Sequence, residues 1–434
     1  MRSYVIVGLG GRHELFRDAI ISEFRNNCRL LALCDINQGR IDKSVKEAEE
    51  KAGYTVKGYH AYDFNLMLKE VNPDSVIVTT MDSTHDGYII RAMESGCDVI
   101  TEKPMTIDVQ KLTNILGAQK KSKKKITVTF NYRYSPPRTQ VKELIMSGAI
   151  GDIISIDFSW LLDTYHGADY FRRWHRNKRS SGGLLVHKAT HHFDLVNWWI
   201  ESVPSVIYAK GTRSFYRAET ALRYRLSNRG ERCHTCPEAL KCPFRLNLSN
   251  SPSLKALYLD QENYDGHFRD RCVFSDQIDI EDSMNLSIEY QNRVRLNYSL
   301  NAFSPWEGYI INFNGTNGRI EHRMEETVYI NADGTIPGAM KMDKTRTTLY
   351  PIREEPREME IWEGEGGHGG ADPHMLKYLF DPENQPFDKY RRASDHRSGA
   401  WSIITGISAN RSMELNRPVR VDELISDMEL PDFK

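Results

Sequence analysis

The chain has 434 residues, 58 of them basic and 59 acidic, for a net charge of −1. That balance argues against a generic polyanion binder, which needs a basic excess, so no nucleic-acid partner is expected. With 40% apolar and 27% charged residues the chain can bury a core rather than stay disordered. No run approaches the roughly 18 continuous apolar residues of a membrane helix, so no membrane partner is expected. Residues Met1 to Gly8 carry one positive charge and a brief apolar run, which predicts no secretory signal and a cytoplasmic protein. Seven cysteines are too few for a disulfide scaffold.

Tyr4 to Val7 is a short β-rich apolar run. Gly8-Leu9-Gly10-Gly11-Arg12 follows, then apolar residues at helical spacing: Leu15, Phe16, Ala19, Ile20 and Phe24. Arg29 to Leu33 reads as a second buried strand leading to Asp35. Strand, glycine turn, helix, strand, acid is the order of a dinucleotide-binding βαβ unit. Gly8, Gly10 and Gly11 would let the backbone approach a pyrophosphate, with Arg12 beside them at the helix start. Asp35 would accept ribose hydroxyls and repel a 2′-phosphate, which favours NAD over NADP. The third glycine of the fingerprint falls on His13, and an ordinary tight turn is the alternative reading of this segment.

The alternation continues. Gly39 to Ala52 reads as a charged helix, and Asp63 as the cap of a helix through Val71. Ser75 to Thr80 is a β-branched strand, and Thr84 to Glu94 a helix closed by Gly96. Asp98 to Thr101 is a strand ending in Glu102-Lys103-Pro104; Ile107 to Gln119 is helical, and Ile126 to Phe130 is a sixth strand. Strands separated by helices predict an α/β Rossmann domain with a parallel sheet over residues 1–133. Ligands of such sheets sit at the carboxyl ends of the strands. Gly8, Asp35, Thr80, Lys103 and Asn131 all lie at or just past such ends.

The segment from Thr79 to Arg133 resembles the Gfo/Idh/MocA oxidoreductases, the glucose–fructose oxidoreductase and inositol dehydrogenase family. The matching pieces are Thr80-Met81-Asp82-Ser83-Thr84-His85, Glu102-Lys103-Pro104 and Phe130-Asn131-Tyr132-Arg133. The likeness continues through Ser147-Gly148-Ala149-Ile150-Gly151 and from Gly182 to Asp194, and more weakly to Ala409-Asn410-Arg411-Ser412. The resemblance implies NAD(P)-dependent hydride transfer at a secondary alcohol, usually of a sugar or cyclitol. It also implies an α+β domain over residues 134–434, built on a large, mainly antiparallel sheet. Such sheets often form oligomer contacts, so a homo-oligomer, dimer or tetramer, is expected. Strand patterns at Met284 to Tyr290, Arg293 to Leu300 and Gly308 to Asn314 agree, with turns at Gln291-Asn292 and Gly315 to Gly318. Ile154, Ile156, Phe158 and Trp160 mark a further strand with one apolar face.

Lys103 falls where the family has its catalytic lysine, and a protonated lysine there would stabilise alkoxide charge. His191 falls on the family's histidine, the general base for the hydroxyl proton. His187 stands where many members carry aspartate; on one helix it would share a face with His191. His192 and Asp194 complete the cluster, with Asp194 as a candidate to fix an imidazole tautomer. Thr80, Glu102 and Asn131 join the cofactor-binding set by the same resemblance. Tyr165, His166, Arg173 and Trp174, with His192, are candidates for a substrate wall, since aromatic faces stack on sugars and guanidinium forks bind hydroxyls. A charged surface helix is the alternative for residues 165–176. The glycine-dense stretch Gly364 to Asp372 reads either as a mobile flap bringing His368 to the site or as a plain linker.

Cys233, Cys236 and Cys242 form C-x2-C-x5-C, and Cys272 follows. Four thiols suit a structural zinc in an insertion near residues 223–275; an iron–sulfur cluster is the second choice, and four reduced, unliganded thiols the alternative. Cys28, Cys34 and Cys97 read as small buried apolar residues. The lysine-rich run 120–125 reads as a solvated helix end. Three functions stand. The first is NAD-dependent dehydrogenation of a sugar or cyclitol. The second is cleavage of a glycoside through transient oxidation by tightly bound NAD. The third is NAD sensing without catalysis.

Overall fold

The computed structural model describes residues 1–327, 338–364 and 367–433. Its first sheet is parallel and consists of β1 (Arg2–Val7), β2 (Cys28–Asp35), β3 (Lys57–His60), β4 (Ser75–Val78), β5 (Asp98–Thr101) and β6 (Ile126–Val128). The spatial order is β3-β2-β1-β4-β5-β6, the doubly wound dinucleotide-binding order. β1, β2, β4, β5 and β6 are covered on both faces, which is why they read as near-continuous apolar runs. Helices Gln38–Ala52 and Val109–Ser122 begin at Asn37 and Asp108, whose side chains accept the Arg40 and Lys111 amides. Asp63 makes no such bond: a short 3-10 turn at Ala61–Asp63 leads directly into the helix Phe64–Val71.

The second sheet has nine strands: β7 (Ile153–Asp163), β8 (Pro204–Thr212), β9 (Ser283–Tyr290), β10 (Arg295–Ser304), β11 (Glu307–Gly315), β12 (Gly318–Glu326), β13 (Arg346–Pro351), β14 (Arg357–Met359) and β15 (Val419–Arg420). The order is β14-β13-β12-β11-β7-β10-β9-β8-β15, antiparallel except where β7 runs parallel to β10. Alternation decides its faces. Ile156, Phe158, Trp160 and Leu162 of β7 are buried while Ile154 is exposed, and β9 alternates in the same way. Trp160 and Trp199 are fully buried beneath the sheet, and truncating either to alanine is expected to cost about 3–5 kcal/mol.

One apolar core runs without a break from the parallel sheet into the large one. A second lies under the other face of the parallel sheet. Met375, Leu376 and Phe380 of the helix Gly367–Phe380 fill it, so a late segment of the chain returns to the first domain. That return brings Asp372 to the ligand rim.

Candidate active site

The carboxyl ends of β1, β2, β4 and β5 open into a cavity of about 610 Å³ that extends into the second domain. Gly8 shapes its floor. With φ at +93° and the backbone of Thr79 and Thr80, just past β4, 2.6 Å from where a Cβ would stand, no side chain fits there. Gly10 and Gly11 line the cavity with bare backbone. His13 replaces the third glycine by burying its ring: Nδ1 meets the Gly10 carbonyl oxygen at 2.6 Å and Nε2 meets Ser44 Oγ at 3.0 Å. The turn is thus secured by a side chain rather than by a glycine.

At one end of the cavity, Asp35 is buried and accepts the amides of Leu9 at 2.5 Å and Asn37 at 2.8 Å. Arg40 Nη1 stands 3.3 Å from Asp35, and its Nη2 donates to Asp265 at 2.5 Å. In the middle, Arg12 pairs with Glu102 at 2.6 Å, and Asn131 donates to Asp372 at 2.7 Å. His368 Nδ1 also meets Asp372, at 2.8 Å. Burial works against ionisation of Asp372, yet His368 and Arg12 hold its carboxyl well below the usual range. Bare glycine backbone, a buried acid at the end of β2 and a groove between them fit a dinucleotide such as NAD.

At the other end, Lys103 lies two residues past β5 and is followed by a cis peptide to Pro104. Its Nζ donates to the His187 carbonyl oxygen at 3.3 Å. Burial pulls its pKa down to about 8, against the attraction of Asp82 and Glu102. His187 closes the short helix Leu184–His187, and His191 lies on the separate helix Thr190–Ile200, so one helix face does not explain their proximity. Both reach the cavity. His187 Nδ1 lies 2.5 Å from Asp82 Oδ2. Burial pushes the Asp82 carboxyl well up and the His187 imidazole well down, which keeps one proton on the line between them. His191 stacks on Tyr132, with ring centroids 4.2 Å apart. Its Nδ1 is buried without a hydrogen-bond partner among the described residues. Burial, then the cations Lys103 and Lys188, hold His191 well below its ordinary pKa, so it is neutral near pH 7.

Thr80 lines the cavity at the end of β4, with Met81 and Asp82 beyond it. Of the candidate substrate wall, His166, Arg173 and Trp174 also line the cavity. His166 is fixed between Glu307, at 2.9 Å, and the Tyr170 hydroxyl, at 2.8 Å. Tyr165 does not belong there: Asp163 caps the helix Thr164–Arg172, and the residue that starts its turn faces outward at 63% exposure. His192 is likewise misplaced by the sequence reading. It is buried against Trp160, centroids 3.8 Å apart, with Nδ1 on the Tyr298 hydroxyl at 2.7 Å. Asp194 fixes no imidazole; it grips the Arg133 guanidinium at 2.7 and 2.5 Å. His368 reaches the cavity, while Glu365 and Gly366 of the same stretch lie outside the described residues.

The sequence reading gave no site role to Asp82, Arg40, Tyr258, Asp265 or Asp372; His175 lay inside the 165–176 segment offered as a substrate wall. Asp82 carried a signal, since it follows β4 on the rim that holds the other candidates. Arg40, five residues past Asp35, shows only as part of a charged helix, while Tyr258, Asp265 and Asp372 come from segments remote in the chain and carry no signal.

The zinc expected at Cys233, Cys236, Cys242 and Cys272 finds no support, nor does an iron–sulfur cluster. Among the described residues no group of three or more His, Cys, Asp or Glu is arranged to hold a metal ion. The four are free, half-buried thiols, and burial pushes those of Cys242 and Cys272 up. Side chains hold the insertion instead. Phe244 packs edge-on against Phe215 and Phe274, and Arg232 pairs with Glu262 and Asp270.

Comparisons with known proteins agree with this architecture. Residues 2–130 match "Oxidoreductase family, NAD-binding Rossmann fold", and residues 142–421 match "Oxidoreductase family, C-terminal alpha/beta domain". The chain is 36% identical over 432 residues to YteT of Bacillus subtilis (strain 168), described as a candidate oxidoreductase, covering 98% of this chain and 99% of YteT. It is 24% identical over 198 residues to an inositol 2-dehydrogenase/D-chiro-inositol 3-dehydrogenase of Lactiplantibacillus plantarum, covering 45% of this chain and 51% of that one. An oxidoreductase from Agrobacterium radiobacter, solved with NAD+, L-tartaric acid and magnesium, superposes with a TM-score of 0.63 at 13% identity, covering 98% of this chain and 99% of that one. Among the described residues no helix is long and apolar enough to cross a membrane. The chain belongs to the Gfo/Idh/MocA oxidoreductase family and carries its NAD-binding Rossmann domain.

Proposed function

We propose that this protein is an NAD-dependent oxidoreductase acting on a secondary alcohol of a sugar or cyclitol. One observation carries the reading: Lys103, His187 and His191 meet at the far end of a groove fit for a dinucleotide, each desolvated, with His191 Nδ1 unpaired. When bound, NAD supplies a nicotinamide carbon that takes up or returns a hydride. The protein's own groups handle the proton and the oxygen. Neutral His191 accepts the hydroxyl proton. The Lys103 ammonium hydrogen-bonds the oxygen as it becomes a carbonyl, where a preorganised donor is worth most. The Asp82–His187 pair takes the place of the aspartate that many relatives carry, supplying a polar group of fixed orientation. Arg173 and Trp174 form the wall against which the ring is held. Assembly into a dimer or tetramer through the open face of the nine-stranded sheet belongs to the same proposal, and light scattering tests it.

The test is a panel of sugars, cyclitols and simple glycosides with NAD, following nicotinamide absorbance and sugar release together. Reduction of NAD by a sugar or cyclitol supports the reading. A protein that binds NAD yet leaves it unreduced by the whole panel, without sugar release, overturns it.

A second reading, glycoside cleavage through transient oxidation, is favoured by His175. Its ring lies 4.1 Å from that of His187, and its buried Nδ1 has no hydrogen-bond partner among the described residues. It is thus an additional acid–base group beside the site. Sugar release without net NADH distinguishes this path.

A further inference from the structure

We propose that residues 251–267 form a strap that shuts the dinucleotide into its groove, so that cofactor exchange waits on strap opening. The proposal rests on the NAD-dependent reading above and adds a part of the chain that the Rossmann fingerprint does not contain.

The strap consists of the short helix Pro252–Leu257, the turns Leu259–Gln261 and Glu262–Asp265, and Gly266 with φ at +66°. It belongs to the second domain but lies on the first. The Gly11 amide donates to the Tyr258 hydroxyl at 3.1 Å. Asn37 Nδ2 donates to the Gln261 carbonyl oxygen at 3.0 Å. Arg40 Nε donates to the Leu257 carbonyl oxygen at 3.2 Å while its Nη2 holds Asp265. The underlying helix is shaped to receive it. A Cβ on Gly39 would run into the Gln261 amide and stand 2.8 Å from the Tyr264 ring. Tyr258, Asp265, Gly266 and His267 line the same cavity as Gly10, Gly11 and Asp35, so the strap forms one wall of the groove that would hold the dinucleotide.

The strap is rooted on both sides. Arg232 grips Glu262 at 2.8 and 2.6 Å. Backbone bonds from Cys233 to Asp270 and from Cys272 to Glu231 clip the two ends of the insertion together. Arg269 pairs with the buried Asp169 of the helix Thr164–Arg172. Arg40 meanwhile sits between two carboxylates, Asp35 from the first domain and Asp265 from the strap. A guanidinium engaged by two carboxylates and the Leu257 carbonyl oxygen has little left for a 2′-phosphate, so the strap also sharpens the preference for NAD.

The test needs no substrate. The intact protein is purified, desalted and assayed for bound nucleotide; NADH is then loaded, and its fluorescence is followed during a chase with excess NAD. Nucleotide that survives desalting and a slow chase are expected. In the combined variant Tyr258→Phe and Asp265→Asn the chase is expected to run about tenfold faster or more, since one backbone bond and one charge-assisted bond are lost. Asp265→Asn alone is expected to raise NADPH binding relative to NADH, an effect that mere loosening would not produce. In the unmodified protein, amide exchange over residues 251–267 is expected to slow when NAD is loaded. Fast chase in the unmodified protein, or exchange over 251–267 indifferent to NAD, overturns the strap while leaving the proposed function standing. A protein that takes up no dinucleotide overturns both.

Discussion

The two ends of the cavity are built on different physical principles. At the Asp35 end the contacts run through backbone: glycine turns, amides on carboxylates, and an arginine held between two acids. At the Lys103 end the groups are side chains crowded out of water, and each departs from its ordinary ionisation. Lys103 and His191 are pulled down, and Asp82 is pushed up. Desolvation penalises the charged form of every one of them, while their mutual fields oppose or reinforce that penalty. Recognition belongs where charges are satisfied, and reaction where they are not. Removing a group should therefore cost turnover at one end and cofactor selectivity at the other.

The largest effect is expected for Lys103→Ala. It should lower kcat/KM by about 10³-fold while NAD binding, read by fluorescence, is retained. A protein that only senses NAD would be indifferent to this change. His191→Gln keeps size and removes the base; a loss in kcat of about 10²- to 10⁴-fold is expected, with smaller changes in KM. Asp82→Asn should cost less, about 10-fold to 10²-fold, because Asp82 acts by orienting His187. Equal losses at Lys103 and at Asp35 would erase the contrast between the two ends.

How much of this is legible in the sequence follows from the same contrast. Buried parallel strands show as apolar runs ending in chemically active residues, so the alternation of strands and helices in the first domain and the positions of Gly10, Asp35 and Lys103 are readable locally. The alternation of β9 and β10 exposes the second sheet in the same way. Contacts closed by chain return are not readable: Asp372 meets Asn131 across 241 positions and Tyr258 meets Gly11 across 247. His192 shows a third limit. Adjacent residues on a helix point about 100° apart, so His191 facing the cavity sends His192 into the core beside Trp160.

The pH profile sharpens the comparison at smaller amplitude. The ammonium of Lys103 is the form that hydrogen-bonds the substrate oxygen, so activity should be present below its pKa and fall as pH rises through about 8. Neutral His191 is the required base, and with its pKa held well below 6.5 the acid limb should lie below that of a free imidazole. Lys103→Arg should move the alkaline limb upward while lowering the plateau, since a guanidinium stays charged. At the other end, Asp35→Ser should leave kcat nearly unchanged and weaken NAD, with a gain in NADP binding because one of the two carboxylates around Arg40 is gone.

The smallest effect is expected in the cysteine insertion, and it discriminates most sharply for its size. Cys233 Sγ receives the Leu246 amide at 3.4 Å and Arg172 Nη1 at 3.5 Å, and Cys236 Sγ receives the Gly230 amide at 3.2 Å. Bonds to sulfur of this length are weak, while the aromatic contacts of Phe244 and the Arg232–Glu262 pair carry the packing. Cys233→Ser should thus lower stability by about 1 kcal/mol or less, and NADH chase rates should stay as they are. Phe244→Ala should cost about 3 kcal/mol and loosen the strap rooted beside it. If the serine variant instead unfolded the insertion as severely as the alanine variant, the thiols would be holding it through a shared ligand, and side-chain packing would no longer suffice as the explanation.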